Sequence, residues 1–123
     1  MSGVQQKIEI TAQAQSSIQS TSIEINANEL SQPLWLTIRT SNEANLQGQI
    51  KLNGQVIQGL SGQGSQVNLS NYLRRGEQEI VITGNYSPAD ASVMIELNGN
   101  NTQVSQQTSG NGFLNQQIRI GVR

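Results

Sequence analysis

The chain has 123 residues, a usual length for one folded domain, and seven basic against eight acidic residues give it a net charge of -1. It contains no cysteine and no histidine, which excludes disulfides, thiol nucleophiles, cysteine-bound metals and histidine acting as a base or ligand. The balanced charge, without a basic cluster, argues against a nucleic-acid partner. We therefore expect a single domain over residues 1–123, with no metal and no other cofactor.

The side chains that would face water are mostly amides. The sequence holds 18 glutamines and 13 asparagines, and they alternate with valine, isoleucine and leucine instead of forming a low-complexity run. Alternation of this kind is typical of strands with one wet face. No apolar run is long enough to span a membrane, and the first residues lack the apolar segment of a signal peptide. The sequence leaves the localisation open.

Three strands are predicted before residue 41. Alternation runs over residues 7–12, 22–26 and 34–40. The segment 28–33 contains Pro33, which suits a loop or the start of a strand and separates the second strand from the third. In the third strand Leu34, Leu36 and Ile38 are expected to face the core.

A tight hairpin is predicted at Asn53-Gly54, because these two residue types tolerate the positive φ that a two-residue type I′ turn requires. We expect Leu52 to pair with Gln55 and Ile50 with Ile57. Residues 59–65 contain three glycines and are predicted to form a loop.

The second half repeats the same pattern of short strands and turns. Strands are expected at 66–69, 77–83, 92–97 and 114–123, with a turn at 71–76 that Tyr72 and Leu73 hold against the core, and a break at 87–90. Asn98-Gly99 predicts another reversal. About eight short strands without a helix indicate an all-β protein, an antiparallel β-sandwich.

Residues 34–83 resemble the central block of galactose-binding-like jelly rolls, in particular the sugar-binding domain of β-galactosidase-type glycoside hydrolases. The matching positions occur in the family's order and spacing: Leu36, Leu52-Asn53-Gly54, Val67-Asn68-Leu69-Ser70, Tyr72-Leu73, Gly76 and Ile80-Val81-Ile82. The resemblance implies a jelly-roll sandwich, in a family that includes carbohydrate binders, structural spacers and protein-docking modules. With four aromatic residues, the chain lacks the aromatic-rich surroundings usual in that family.

The binding candidates are Trp35, Arg39, Gly62 and Gly64. Trp35 and Arg39 occupy the odd positions of a strand whose even positions are apolar, so they are expected on its outer face, where a tryptophan anchors a partner or stacks on a sugar. The alternative is that a neighbouring loop or the N-terminal segment covers Trp35. The two glycines mark the predicted glycine-rich loop beside that strand.

The remaining charged residues give no catalytic or metal-binding pattern. Arg74 and Arg75 lie in a turn, where cations are usually solvated. Glu77 and Glu79 share one face of a strand, and Asp90 stands alone, so no oxygen-rich calcium loop is predicted. We expect the protein not to be an enzyme.

Two roles fit these observations. The first is a structural or interaction subunit that docks to a protein partner or to copies of itself through sheet faces or edges, which a near-neutral amide surface permits. The second is a carbohydrate-binding module in which Trp35, the glycine loop and amide side chains contact sugar hydroxyls.

Overall fold

The computed structural model describes residues 19–99, 102–109 and 111–123, and over these ranges the chain forms nine β-strands and two short 3-10 helices. The strands are β1 (Gln19–Ile25), β2 (Trp35–Thr40), β3 (Asn45–Leu52), β4 (Gln55–Gly62), β5 (Gly64–Asn68), β6 (Gly76–Ser87), β7 (Ser92–Asn98), β8 (Gln103–Ser109) and β9 (Phe113–Val122). The 3-10 helices are Ala27–Ser31 and Leu69–Asn71. The strand predicted at residues 7–12 lies outside the described residues.

The strands form two sheets that pack as a sandwich. The five-stranded sheet has the order β1-β9-β6-β3-β4, and the four-stranded sheet has the order β5-β2-β7-β8. The all-β sandwich predicted from the sequence is confirmed. One pair departs from the antiparallel expectation: β1 and β9 are parallel, from Gln19 opposite Gln116 to Ile25 opposite Val122. Because β1 continues through a 3-10 helix into the other sheet, no hairpin turn fixes its direction against β9.

Alternate residues of the strands fill the space between the sheets. In β2, Leu36 and Ile38 are fully buried, and Leu34 just before the strand is 2% exposed, as the alternation predicts. The opposite sheet contributes Ile80 and Ile82 of β6 in the same manner. Burying one such aliphatic side chain stabilises the fold by about 1.5–3 kcal/mol, so this double layer is the main source of stability.

The β3–β4 hairpin forms as predicted at its tip and differs further along. Asn53 and Gly54 have φ of 51° and 86°, and Leu52 pairs with Gln55. Ile50, however, pairs with Gln58 and not with Ile57, because the register shifts by one residue between Ile50 and Lys51. Such a β-bulge lets one extra residue enter a strand. It allows Ile57 to pack against the core although it has no partner in the ladder.

The prediction of a glycine-rich loop at 59–65 is wrong. Strand β4 runs to Gly62 and β5 starts at Gly64, so Gln63 alone separates them. The chain passes here from one sheet to the other, and Gly62, with φ of 71°, supplies the backbone conformation for the sharp corner.

The turn before β6 is held by leucines and not by Tyr72. Leu69 and Leu73, four residues apart in one helical turn, are 0% and 7% exposed, whereas Tyr72 is 39% exposed. The Leu73 amide donates to the Leu69 carbonyl at 3.0 Å, which closes an α-type turn in which side chains at i and i+4 share a face, and Tyr72 points outward. The backbone of this segment is fixed by Gln78, whose Oε1 accepts from the Arg74 amide at 2.6 Å and whose Nε2 donates to the Gly76 carbonyl at 2.9 Å.

Candidate binding surfaces

Trp35 lies on the outer face of the four-stranded sheet. It stands between Asn68 of β5 and Asn98 of β7, which are its partners on either side, and it is 40% exposed. We call this outer face the Trp35 face; its outward side chains are Trp35, Thr37, Arg39, Gln66, Asn68, Met94, Glu96, Asn98, Gln103, Ser105 and Gln107. No described segment fully covers the indole.

Arg39 shares that face and is held by its neighbours. Its guanidinium Nη2 is 3.3 Å from Glu96 Oε1 and 3.8 Å from Met94 Sδ. Four residues separate Arg39 from Trp35, which is about 13 Å along a strand. The two predicted site residues are thus on one surface but at opposite ends of β2.

Gly62 and Gly64 belong to the β4–β5 corner at the Arg39 end. Gly64 pairs directly with Arg39, and a Cβ added to it would lie 2.2 Å from the Ile38 carbonyl oxygen. A glycine here permits a close backbone approach. The structure does not bring these glycines to Trp35, so the four predicted residues do not form one pocket.

The outer face of the five-stranded sheet carries a group of amide side chains that form no hydrogen bond with the described residues. We call part of this face the amide surface. It consists of eight outward side chains of β3, β6 and β9: Asn45, Gln47, Gln49, Thr83, Asn85, Ser87, Phe113 and Asn115. Its central row crosses the sheet from Phe113 through Asn85 and Gln47 to Ser61. Three strand spacings of about 4.8 Å make this row about 14 Å long.

A depression of about 200 Å³ opens at one end of the amide surface. It is lined by Asn45, Gln47, Asn85, Tyr86 and Ser87. Within the described chain, none of the four polar side chains that face outward there donates or accepts a hydrogen bond. Phe113, the partner of Asn85 in the ladder, is 48% exposed beside it.

A second depression, of about 350 Å³, lies at the other end of the same face. Its lining includes Glu24, Glu77, Arg119 and Gly121. Gly121 has no side chain to fill the space between Glu77 and Glu24, since a Cβ there would be 3.2 Å from Glu77 Oε2 and 3.6 Å from Glu24 Cγ.

Two of the charged residues that line this second depression, Glu24 and Arg119, belong to ion pairs. Glu24 accepts a hydrogen bond from Arg123, which lowers the pKa of the Glu24 carboxyl and raises that of the Arg123 guanidinium. Arg119 Nη2 lies 3.8 Å from Glu79 Oε2. A general acid requires a raised carboxyl pKa, and the shift of Glu24 is in the opposite direction.

The acidic residues singled out in the sequence are where the pattern placed them. Glu77 and Glu79 lie on one face of β6, opposite Gly121 and Arg119 respectively. Across the described ranges, no three acidic residues are grouped so that they could hold a metal ion. Neither of the two described 3-10 helices is long and apolar enough to cross a membrane.

A comparison with known proteins found no match: no protein-family model, no curated protein sequence and no solved structure is significantly similar to this chain.

The amide surface was not identified from the sequence. None of Gln47, Asn85 and Phe113 lies within a strand predicted from the sequence, and alternation does not say which strands are neighbours. The row exists because β3, β6 and β9 are adjacent, although up to 66 residues separate the members of the row in the sequence. The only local sign of this surface was that Phe113 is aromatic, whereas the next outward positions of its strand are polar.

Proposed function

We propose that this protein is a non-catalytic structural or interaction domain that docks through the Trp35 face, with a second copy of the chain as the partner. The observation that carries the proposal is the 40% exposure of Trp35 between Asn68 and Asn98 on an open sheet face. Half-exposed tryptophans supply a large apolar contact and are frequent among the residues that dominate binding energy.

The chemistry of the Trp35 face supports a second copy as the occupant. An amide group both donates and accepts hydrogen bonds, so a face rich in glutamine and asparagine complements its own two-fold image. The exposed Gln103 and Gln107 extend the face on β8 with further amides. The face has one cation and one anion, Arg39 and Glu96, and these already neutralise each other.

The charge of the whole chain supports the same partner. A net charge of -1 gives two copies little mutual repulsion to overcome on approach. The absence of histidine and cysteine supports a non-catalytic role, since it removes the commonest general base and the thiol nucleophile.

We also infer that the sandwich is a jelly roll of the galactose-binding-like kind. In support, the block that resembles that family contains β2, the Asn53-Gly54 hairpin, the turn seated by Leu73, and Gly76 at the start of β6, in that order. Two of the matched positions have a structural reason for their residue type: Leu73 is buried in the core, and Gly76 has a φ of 108°, which favours glycine. This inference concerns architecture, and in this family architecture is shared by binding and structural domains alike.

Replacing Trp35 tests the proposed function. We expect the wild-type protein to dimerise in sedimentation velocity over a wide dilution series, with a blue shift of the fluorescence of its single tryptophan as the dimer forms. Trp35→Ala should weaken dimerisation by at least about tenfold, as expected for the anchor of an interface.

Val56→Ala is the matched control, because Val56 is 50% exposed but lies on the opposite outer face, beside Lys51. It should leave dimerisation unchanged. Circular dichroism must show the same strand signal in all three proteins. A wild-type protein that stays monomeric at every concentration, or a Trp35→Ala variant that dimerises as tightly as the wild type, contradicts the proposal.

A further inference from the structure

We propose that the amide surface binds a neutral, polyhydroxylated ligand such as an oligosaccharide, with Phe113, Asn85 and Gln47 as its contact residues. This site lies on the opposite outer face from Trp35 and is independent of the dimer proposed above. It goes beyond a docking role because it assigns a ligand class to residues of the five-stranded sheet.

The first argument is that the amide side chains at the centre of this surface form no hydrogen bonds with the described residues. Several amide side chains elsewhere serve the protein itself: Gln78 fixes the turn before β6, Gln58 Nε2 donates to Ser65 Oγ at 2.8 Å, and Gln66 Nε2 donates to Thr37 Oγ1 at 3.1 Å. Among the described residues, by contrast, the side chains of Gln47 and Asn85 have no hydrogen-bond partner. They retain their full capacity for an external ligand.

The second argument is the match between these groups and a sugar. Each amide offers two N–H donors and one carbonyl acceptor, which together pair with hydroxyl groups that also donate and accept. A sugar ring has an apolar C–H face that packs on an aromatic ring, and Phe113 is 48% exposed next to Asn85. An aromatic surface adjoining several convergent polar groups is the usual composition of a small-molecule site.

The third argument concerns charge and shape. No member of the amide surface is charged, so nothing there selects an anionic ligand. The depression of about 200 Å³ is smaller than the pockets of about 300–1,000 Å³ that enclose a drug-sized ligand. It suits one small unit of a longer chain, and the row of about 14 Å extends from it across the sheet.

Gly59 keeps the second row of this face open. It is the outward partner of Gln49, and no atom lies within 4 Å of the position that its Cβ would take. A bulky side chain at this position therefore projects over the sheet without disturbing the fold. This gives a steric test that removes none of the contact residues.

The experiment titrates the ¹⁵N-labelled protein with neutral oligosaccharides of several linkage types, and with anionic ones of matched length, while the side-chain amide signals of Gln and Asn are recorded by NMR. We expect a neutral oligosaccharide to shift the signals of Asn85 and Gln47. Asn85→Ala should weaken binding about two- to tenfold and Phe113→Ala by at least as much. Gly59→Leu should also weaken binding of the longer ligands.

Gln103→Ala, which removes an exposed amide from the Trp35 face, is the control and should bind as the wild type does. Trp35→Ala should likewise bind normally, which separates this proposal from the proposed dimer. The assignment is overturned if no neutral oligosaccharide binds, if anionic ones bind more tightly, or if neither Asn85→Ala nor Phe113→Ala weakens binding. It is also overturned if the Asn85 and Gln47 signals shift with protein concentration alone, because the surface would then be a contact between copies.

Discussion

Gly48 of β3 and Gly84 of β6 are directly opposite each other on the inner side of the five-stranded sheet. A Cβ on Gly48 would lie 2.0 Å from the Thr83 carbonyl oxygen, and one on Gly84 would lie 2.4 Å from the Gln47 carbonyl oxygen. Real Cβ atoms do not approach backbone atoms so closely, so the two strands meet here only because neither residue has a side chain.

Gly48→Ala should therefore destabilise the protein by at least about 2 kcal/mol, since the backbone of β6 must move to admit one methyl group. Gly59→Ala is the matched control on the neighbouring strand, and with open space around its Cβ it should change stability by less than about 0.5 kcal/mol. Urea denaturation of both variants measures the difference. Equal stabilities would show that the close approach of β3 and β6 is not rigid.

The same comparison shows what the sequence leaves undetermined at the scale of single residues. The sequence does not show that Gly48 lacks room for a Cβ and Gly59 has it, since each is a glycine that directly follows a glutamine. What distinguishes them is the neighbouring strand, which lies against Gly48 and not against the outward side of Gly59. The face of Trp35, in contrast, was predictable because alternation with Leu34, Leu36 and Ile38 determines it locally.

At the scale of elements, Asn68 joins three parts of the fold at the end of β5. Its Oδ1 accepts hydrogen bonds from the Leu34 amide at 3.0 Å, the Ser70 amide at 3.1 Å and the Ser70 hydroxyl at 2.8 Å. It thereby caps the 3-10 helix Leu69–Asn71 and fixes the entry of the chain into β2.

Asn68→Ala should cost about 1–3 kcal/mol, because it leaves part-buried backbone donors without an acceptor. All three partners donate to the same oxygen, so a carboxylate can replace the amide, and Asn68→Asp should keep most of the stability. Thermal unfolding of the two variants beside the wild type tests this. If aspartate were as damaging as alanine, the oxygen would not be the group that matters.

The elements that the sequence predicted well are those with a local cause. The Asn53-Gly54 turn formed because positive φ is a property of those two residues. The β-bulge between Ile50 and Lys51 has no local signal, and it changed the partner of Ile50. Strand β8 was not predicted, because Val104 is the only hydrophobic residue in a stretch that is otherwise glutamine, serine and threonine. Its strand conformation comes from pairing with β7, which is a tertiary contact.

At the scale of the whole molecule, the two ends of the described chain meet. β9, the last strand, lies inside the five-stranded sheet between β1, the first described strand, and β6. Its inward side chains Leu114, Ile118, Ile120 and Val122 are all at most 4% exposed. The five-stranded sheet is therefore complete only when the final residues are in place, and such non-local pairing is typical of domains that fold in milliseconds to seconds.

Removing β9 should abolish the fold, because β1 loses its only partner among the described strands and four core side chains are lost. At about 1.5–3 kcal/mol each, these side chains represent a free energy similar to the entire 5–15 kcal/mol that stabilises a domain. A fragment of residues 1–112 should show no cooperative unfolding transition in guanidinium chloride.

A synthetic peptide of residues 113–123, added in excess, should restore the transition, since only pairing and burial hold β9 in place. The same peptide with aspartate at Ile118 and Ile120 should not, because a charge at either position would be buried without a partner. Ile118→Val in the full chain is a milder change at the same position. It should retain a cooperative transition and lower the free energy of unfolding by about 0.5–1.5 kcal/mol. Cooperative unfolding of the fragment alone, at nearly the stability of the whole chain, would mean that the sandwich forms without β9.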